Sequence, residues 1–91
     1  MKLKELFADE KKWTQKAFGR TQNGIHVSGA DPQAVCFCLV GGMIRCYPNG
    51  GDYEEVRQKI ILAIGESYMA WNDAPERTIE DIQKLCNELD I

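Results

Sequence analysis

The segment from Gln33 to Tyr47, QAVCFCLVGGMIRCY, is apolar on nearly every side, and it constrains the fold more than any other stretch. An amphipathic helix lies on a core, whereas a segment apolar all round must sit inside one. The rest of the chain therefore has to wrap it. Asp31-Pro32 just ahead is a good helix start, because Asp caps free N–H groups and Pro suits the first helical position. Gly41-Gly42 between two apolar runs also reads as a hairpin turn. The Asp-Pro start and the segment length favour one helix over 33–47, with a hairpin as the alternative. Glycines inside a helix cost about 1 kcal/mol each against Ala, so Gly41 and Gly42 are expected where another backbone comes very close.

The wrapping elements are legible as patterns. Leu3, Leu6 and Phe7 share one helical face, and that helix either runs on through Trp13 or breaks near Asp9. Asn23-Gly24 between short extendable runs predicts a two-stranded β-hairpin over roughly 16–28. A hairpin alone is marginal in water, so it must pack on the helices. Asp52 with Glu55 has the form of a capping box, opening a helix that runs through Trp71. Tyr53, Val56, Ile60, Ile64, Tyr68 and Trp71 form its stripe; Ile61, Leu62 and Met69 widen it, so the helix is expected to be largely buried, with Gly65 at a close contact. Thr78 with Asp81 opens the last helix, whose face is Ile79, Ile82, Leu85, Cys86 and Leu89. The expected fold is mainly α: a single domain over 1–91, a small helical domain of about four helices with a short β-hairpin packed on it.

Charge and composition exclude several functions. The net charge is −3, without the basic excess of a nucleic-acid binder, so no direct nucleic-acid partner is expected. Basic residues gather in 1–20 and acids in 52–91, which predicts two solvated faces that attract each other, or else a basic patch for an anionic partner. The N-terminus is charged and periodic rather than continuously apolar, and no apolar stretch is long enough to span a bilayer. A cytoplasmic protein without a membrane partner is expected. Cys36, Cys38, Cys46 and Cys86 lack the paired spacing of a zinc site, and His26 is the only histidine. They read as small buried hydrophobes, with no metal, cofactor or catalytic residue implied.

The linker Ala70-Trp71-Asn72-Asp73-Ala74-Pro75-Glu76-Arg77-Thr78 carries more chemistry than a connection needs. Pro75 disfavours helix at Ala74, Thr78 restarts it, and Asn72 or Asp73 can satisfy the free backbone groups of the turn. Trp71 reads as a core anchor. Three motifs stand out: Trp13-Thr14-Gln15 ending in Arg20, the apolar run through Cys38 to Gly41-Gly42, and Trp71-Asn72-Asp73-Ala74-Pro75-Glu76-Arg77-Thr78. In this order they resemble an uncharacterised family of small phage and bacterial proteins. Gly19 and Gly42 depart from its pattern, where small residues such as Ala are more usual, and residues 47–60 do not match it. The resemblance implies a phage-linked setting and no mechanism.

Two expectations follow for the motif residues. Either Arg20, Asp73 and Arg77 form a buried ionic cluster shielded by Trp13 and Trp71, which would be costly to break. Or Trp13, Gln15, Arg20, Trp71, Asn72, Asp73 and Arg77 line a ligand pocket suited to a nucleotide base and its phosphates. The leading function is a non-enzymatic, phage-type accessory protein that binds a host protein stoichiometrically, a defence protein above all, in the host cytoplasm. The alternatives are a sponge for a small nucleotide signal, often at a subunit interface of a small homo-oligomer, and a structural or assembly role.

Overall fold

The apolar segment is the centre of the molecule, but it is not one helix and it is not a hairpin. In the computed structural model, which describes residues 1–91, Asp31 opens a turn: its Oδ1 accepts the Gln33 N–H at 2.8 Å and its carbonyl accepts the Ala34 N–H at 3.0 Å. The chain then extends as a short strand over Cys36–Phe37 and becomes helical only at Leu39–Cys46. The expectation of a single helix over 33–47 is corrected for a local reason. The backbone of the first half already has partners: Val35 N–H donates to the Arg20 carbonyl at 2.8 Å, and the Phe37 carbonyl accepts from Thr14 N–H at 2.9 Å. Cys38 starts the helix, its Sγ accepting the Gly41 N–H at 3.4 Å.

The elements are α1 (Leu3–Leu6), a 3-10 turn (Glu10–Lys12), β1 (Gly19–Arg20), β2 (His26–Val27), β3 (Cys36–Phe37), α2 (Leu39–Cys46), α3 (Gly50–Ile64), α4 (Tyr68–Asp73) and α5 (Ile79–Leu89). The expected mainly helical architecture with a short hairpin is what the chain adopts. β1 and β2 pair antiparallel around the Asn23-Gly24 loop, and β3 adds on the far side of β1, giving the order β2-β1-β3. α2 packs against α1, α3, α4 and β3, so Leu39 and Met43 are fully buried beside Leu3, Phe7, Ile60, Ile82 and Cys86.

Gly41 explains how the hairpin docks on α2. A Cβ there would overlap the carbonyl of Phe18, and Gly29 lies against the backbone of Gly41 itself. The close approach expected at Gly41 is therefore real, and its partner is the strand leading into β1. Gly42 is crowded as well, by the side chains of Phe7 and Leu3 at 2.8 and 2.9 Å from its Cβ position. Arg45 secures the other side, donating to the carbonyls of Gly29 at 3.0 Å and Asp31 at 2.5 Å.

The later helices depart from expectation in three places. α3 is capped by Asn49, whose Oδ1 accepts the Gly51 N–H at 2.8 Å; Asp52 lies inside the first turn and is not the cap. The helix does not continue to Trp71, because Gly65 takes φ +91° with open space around it. Gly65 is thus a stop signal and not a packing contact. α3 buries only Val56 and Ile60, and Leu62 is 87% exposed, so it lies on the core and is not largely buried. α5 follows its pattern: Thr78 and Asp81 form the capping box, and Ile82, Leu85 and Cys86 are buried. Lys2 and Lys4 reach Asp90 at 3.0 and 2.5 Å, so part of the charge asymmetry is satisfied within the fold. No helix is long and apolar enough to cross a membrane.

Candidate functional site

The motif residues assemble a seam between residues 13–16 and the end of α4. Asn72 is its hub and is 1% exposed. Its Oδ1 accepts from Trp13 Nε1 at 2.9 Å and from the Leu39 N–H at 3.0 Å. Its Nδ2 donates to the Thr14 carbonyl at 3.3 Å and to Asp73 Oδ1 at 2.9 Å. One amide thus ties the N-terminal loop, the start of α2 and α4 together. Gln15 Nε2 donates to the carbonyls of Asn72 and Ala74 at 2.9 and 2.8 Å. Those carbonyls lie at the end of α4, where a helix leaves its last acceptors free. Pro75 holds Ala74 extended at ψ 134°, as its sequence position implies.

The arginines do not join a cluster with Asp73. Arg20 Nε donates to Thr14 Oγ1 at 3.0 Å, Nη2 to the Gln15 carbonyl at 3.0 Å and Nη1 to the Gly24 carbonyl at 3.4 Å. Arg77 Nε donates to the Trp71 carbonyl at 2.7 Å, its guanidinium lies 4.0 Å from the centre of the Trp71 ring, and it reaches Asp81 at 3.6 Å. The buried ionic cluster is corrected accordingly. The physical reason is that unsatisfied carbonyls near each arginine take its donors first. Arg20 braces the hairpin and Arg77 closes the end of α4. Asp73 Oδ1 instead accepts the Lys16 N–H at 2.8 Å.

The main cavity lies next to this seam. It is an open cleft of about 700 Å³ between the hairpin, the start of α2 and α4. Of the seven motif residues singled out in the sequence, Asn72 and Asp73 line it; Trp13, Gln15, Arg20, Trp71 and Arg77 do not. Its other walls are Lys16, Ala17, Phe18, His26, Val27, Ser28, Cys38, Val40 and Met69. Sequence patterns missed these because they come from distant segments brought together by the Gly41 contact. One local signal was available in Phe18, a large apolar residue beside the predicted hairpin, which is left 45% exposed.

A cleft of this size with apolar walls and a few convergent polar groups has the form of a binding site. Phe18, Val27, Val40 and Met69 supply the walls, and Lys16, His26, Ser28 and Asp73 supply polar groups. Lys16 has φ +64°, a left-handed backbone that costs a non-glycine residue energy and collects at functional sites. Burial pushes the Cys38 thiol up, the nearby charge of Asp73 adds to this, and the Gly41 N–H works against it. No group of three or more potential ligating side chains is placed to hold a metal ion.

The chain matches the model of the family of unknown function DUF6197 over residues 2–89. It belongs to that family. No curated protein and no solved structure matches it. Family membership thus extends over nearly the whole fold, seam and cleft included, and brings no activity with it.

Proposed function

We propose that this protein is a non-enzymatic binding module that acts stoichiometrically on a protein partner through the cleft. The observation that carries this is the composition of the cleft's open mouth. Phe18 and Met69, 45% and 48% exposed, stand among its apolar walls. Exposed apolar surface at an open cleft fits an interface better than a closed small-molecule site. In the phage setting that the three motifs resemble, the partner is a host protein, a defence protein above all, and the action is to inhibit or modulate it. Two further features favour binding over the alternatives. The expected nucleotide pocket drew on arginine for the phosphates, and the donors of Arg20 and Arg77 are turned to protein carbonyls, Thr14 and Asp81. Catalysis by Cys38 would need a thiolate, and its burial disfavours one.

The test is capture of the partner by the tagged full chain in its own cells, beside a Phe18→Asp, Met69→Glu variant. Both side chains are exposed, so the variant should melt with the parent. The expected result is one protein held at fixed stoichiometry by the parent and lost by the variant. Native mass spectrometry showing a bound small molecule, or equal capture by both chains, would overturn the proposal.

A further inference from the structure

Part of the basic N-terminal segment has no partner within the fold. Lys2 and Lys4 meet Asp90, whereas the ammonium of Lys12 makes no hydrogen bond or ion pair. Lys12 lines a second cavity, of about 320 Å³, which shares no residue with the cleft. Leu6, Ala34, Val35 and Phe37 supply its apolar lining, and Lys12 and Arg45 are its only charged side chains. Phe37 lines this cavity and Cys38 lines the cleft, because neighbours in an extended chain point to opposite sides.

Arg45 is fixed in place with one edge free. Its Nε and Nη2 donate to the carbonyls of Gly29 and Asp31, and its guanidinium lies 5.0 Å from the centre of the Phe37 ring. Nη1 has no protein partner and is not buried. A guanidinium carries five N–H donors, so the edge formed by Nη1 and the second hydrogen of Nη2 keeps a pair of them. Such an edge takes a carboxylate through two parallel hydrogen bonds. Neither Arg45 nor Lys12 has a carboxylate within ion-pair distance. Asp31 offers Arg45 its carbonyl only; its carboxylate does not line the cavity, and its Oδ1 accepts the Gln33 N–H. Two positive side chains, no negative one and an apolar lining complement a carboxylate that sits beside an apolar group.

We infer that this second cavity takes a polypeptide segment in which an apolar side chain neighbours an Asp or Glu. The apolar side chain rests on Leu6, Ala34 and Phe37, and the carboxylate meets the free edge of Arg45 and the ammonium of Lys12. Val35 and Met1, 49% and 70% exposed, carry the apolar surface outward from the cavity. An open apolar rim suits a chain segment lying across it better than an enclosed small molecule. Arg45 loses little freedom on binding, because two carbonyls and the Phe37 ring already hold it. The inference goes beyond the cleft and does not rest on it.

The test uses the full chain, ¹⁵N-labelled, with short acetylated and amidated peptides. Each carries one Leu or Phe beside one Glu; a control set carries Gln in place of Glu, and hexanoate stands for a free small carboxylate. The Glu set is expected to bind with a Kd below about 1 mM and to shift the amides of Val35 and Phe37, and the Gln set to bind about tenfold more weakly. Lys12→Gln should weaken the Glu set about three- to fivefold. Val35→Asp puts a carboxylate on the exposed rim, keeps the N–H bond to the Arg20 carbonyl, and should abolish the preference for Glu over Gln. Equal binding of the Glu and Gln sets, or failure of the Glu set to bind, would overturn the inference. So would shifts confined to the cleft residues Phe18 and Met69, or hexanoate binding as tightly as the Glu peptides, which would make the cavity a small-molecule site. Phe18-dependent capture of a partner is read independently, so the cleft and this cavity fail separately.

Discussion

The seam and the cleft share Asn72 and Asp73 but use their polar groups in opposite ways. In the seam, Trp13, Gln15, Thr14, Leu39 and Asn72 satisfy one another, and no buried side-chain polar atom in the chain lacks a partner. In the cleft, Lys16 and His26 are exposed, and Lys16 holds an unfavourable φ of +64°. Buried polar networks are stabilising when complete, because each unmet group costs its full desolvation. Groups left free at an open cleft cost little in water and stay available to a ligand. The difference teaches that the chemistry conspicuous in the sequence is mostly structural, and that the site beside it is built from less conspicuous residues.

The largest test of that comparison is Asn72→Ala. It removes the acceptor shared by Trp13 Nε1 and the Leu39 N–H, and the donor to Thr14. Stability should fall by about 2–4 kcal/mol, read as a lower urea midpoint with little change in slope. A loss below about 0.5 kcal/mol, the scale of an ordinary surface substitution, would mean that the seam is not structural. Gln15→Ala is the next step down. It leaves the Asn72 carbonyl at the end of α4 without that partner, while the Ala74 carbonyl keeps the Arg77 N–H, and should cost about 1 kcal/mol by the same measurement. Gln15 does not line the cleft, so the Gln15→Ala variant should still capture the partner.

Legibility in the sequence followed the range of the interaction. Local devices were readable: the capping box of Thr78 and Asp81, the Asn23-Gly24 loop, and Pro75 ending α4. The close approach at Gly41 was readable as a need, but its partner, the Phe18 carbonyl, was not. Residues 33–47 could not be divided, because the division depends on Arg20 and Thr14 supplying bonds to Val35 and Phe37 from far along the chain. Gly65 was misassigned because an open position with positive φ and a crowded position both ask for glycine. In the site, the motifs led to Asn72 and Asp73. They could not show that nearby carbonyls would claim Arg20 and Arg77, or that the hairpin would bring His26 and Phe18 to Cys38 and Met69.

Lys16→Gly gives the smallest change in stability and separates the two regions by sign. A left-handed residue other than glycine costs about 1–2 kcal/mol, while glycine gives back about 0.5–1 kcal/mol through the greater freedom of its unfolded chain. The backbone N–H that bonds Asp73 survives the substitution, and the exposed side chain packs on little. Stability should therefore hold or rise by about 0.5–1 kcal/mol in urea unfolding, even as the cleft loses the ammonium of Lys16 and holds its partner less well. Deletion in the seam destabilises, whereas deletion here relieves strain and weakens binding. A residue kept in a strained conformation whose removal helps the fold is a residue kept for something outside the fold. If Lys16→Gly instead lowers stability as Asn72→Ala does, Lys16 belongs to the seam and not to the cleft alone.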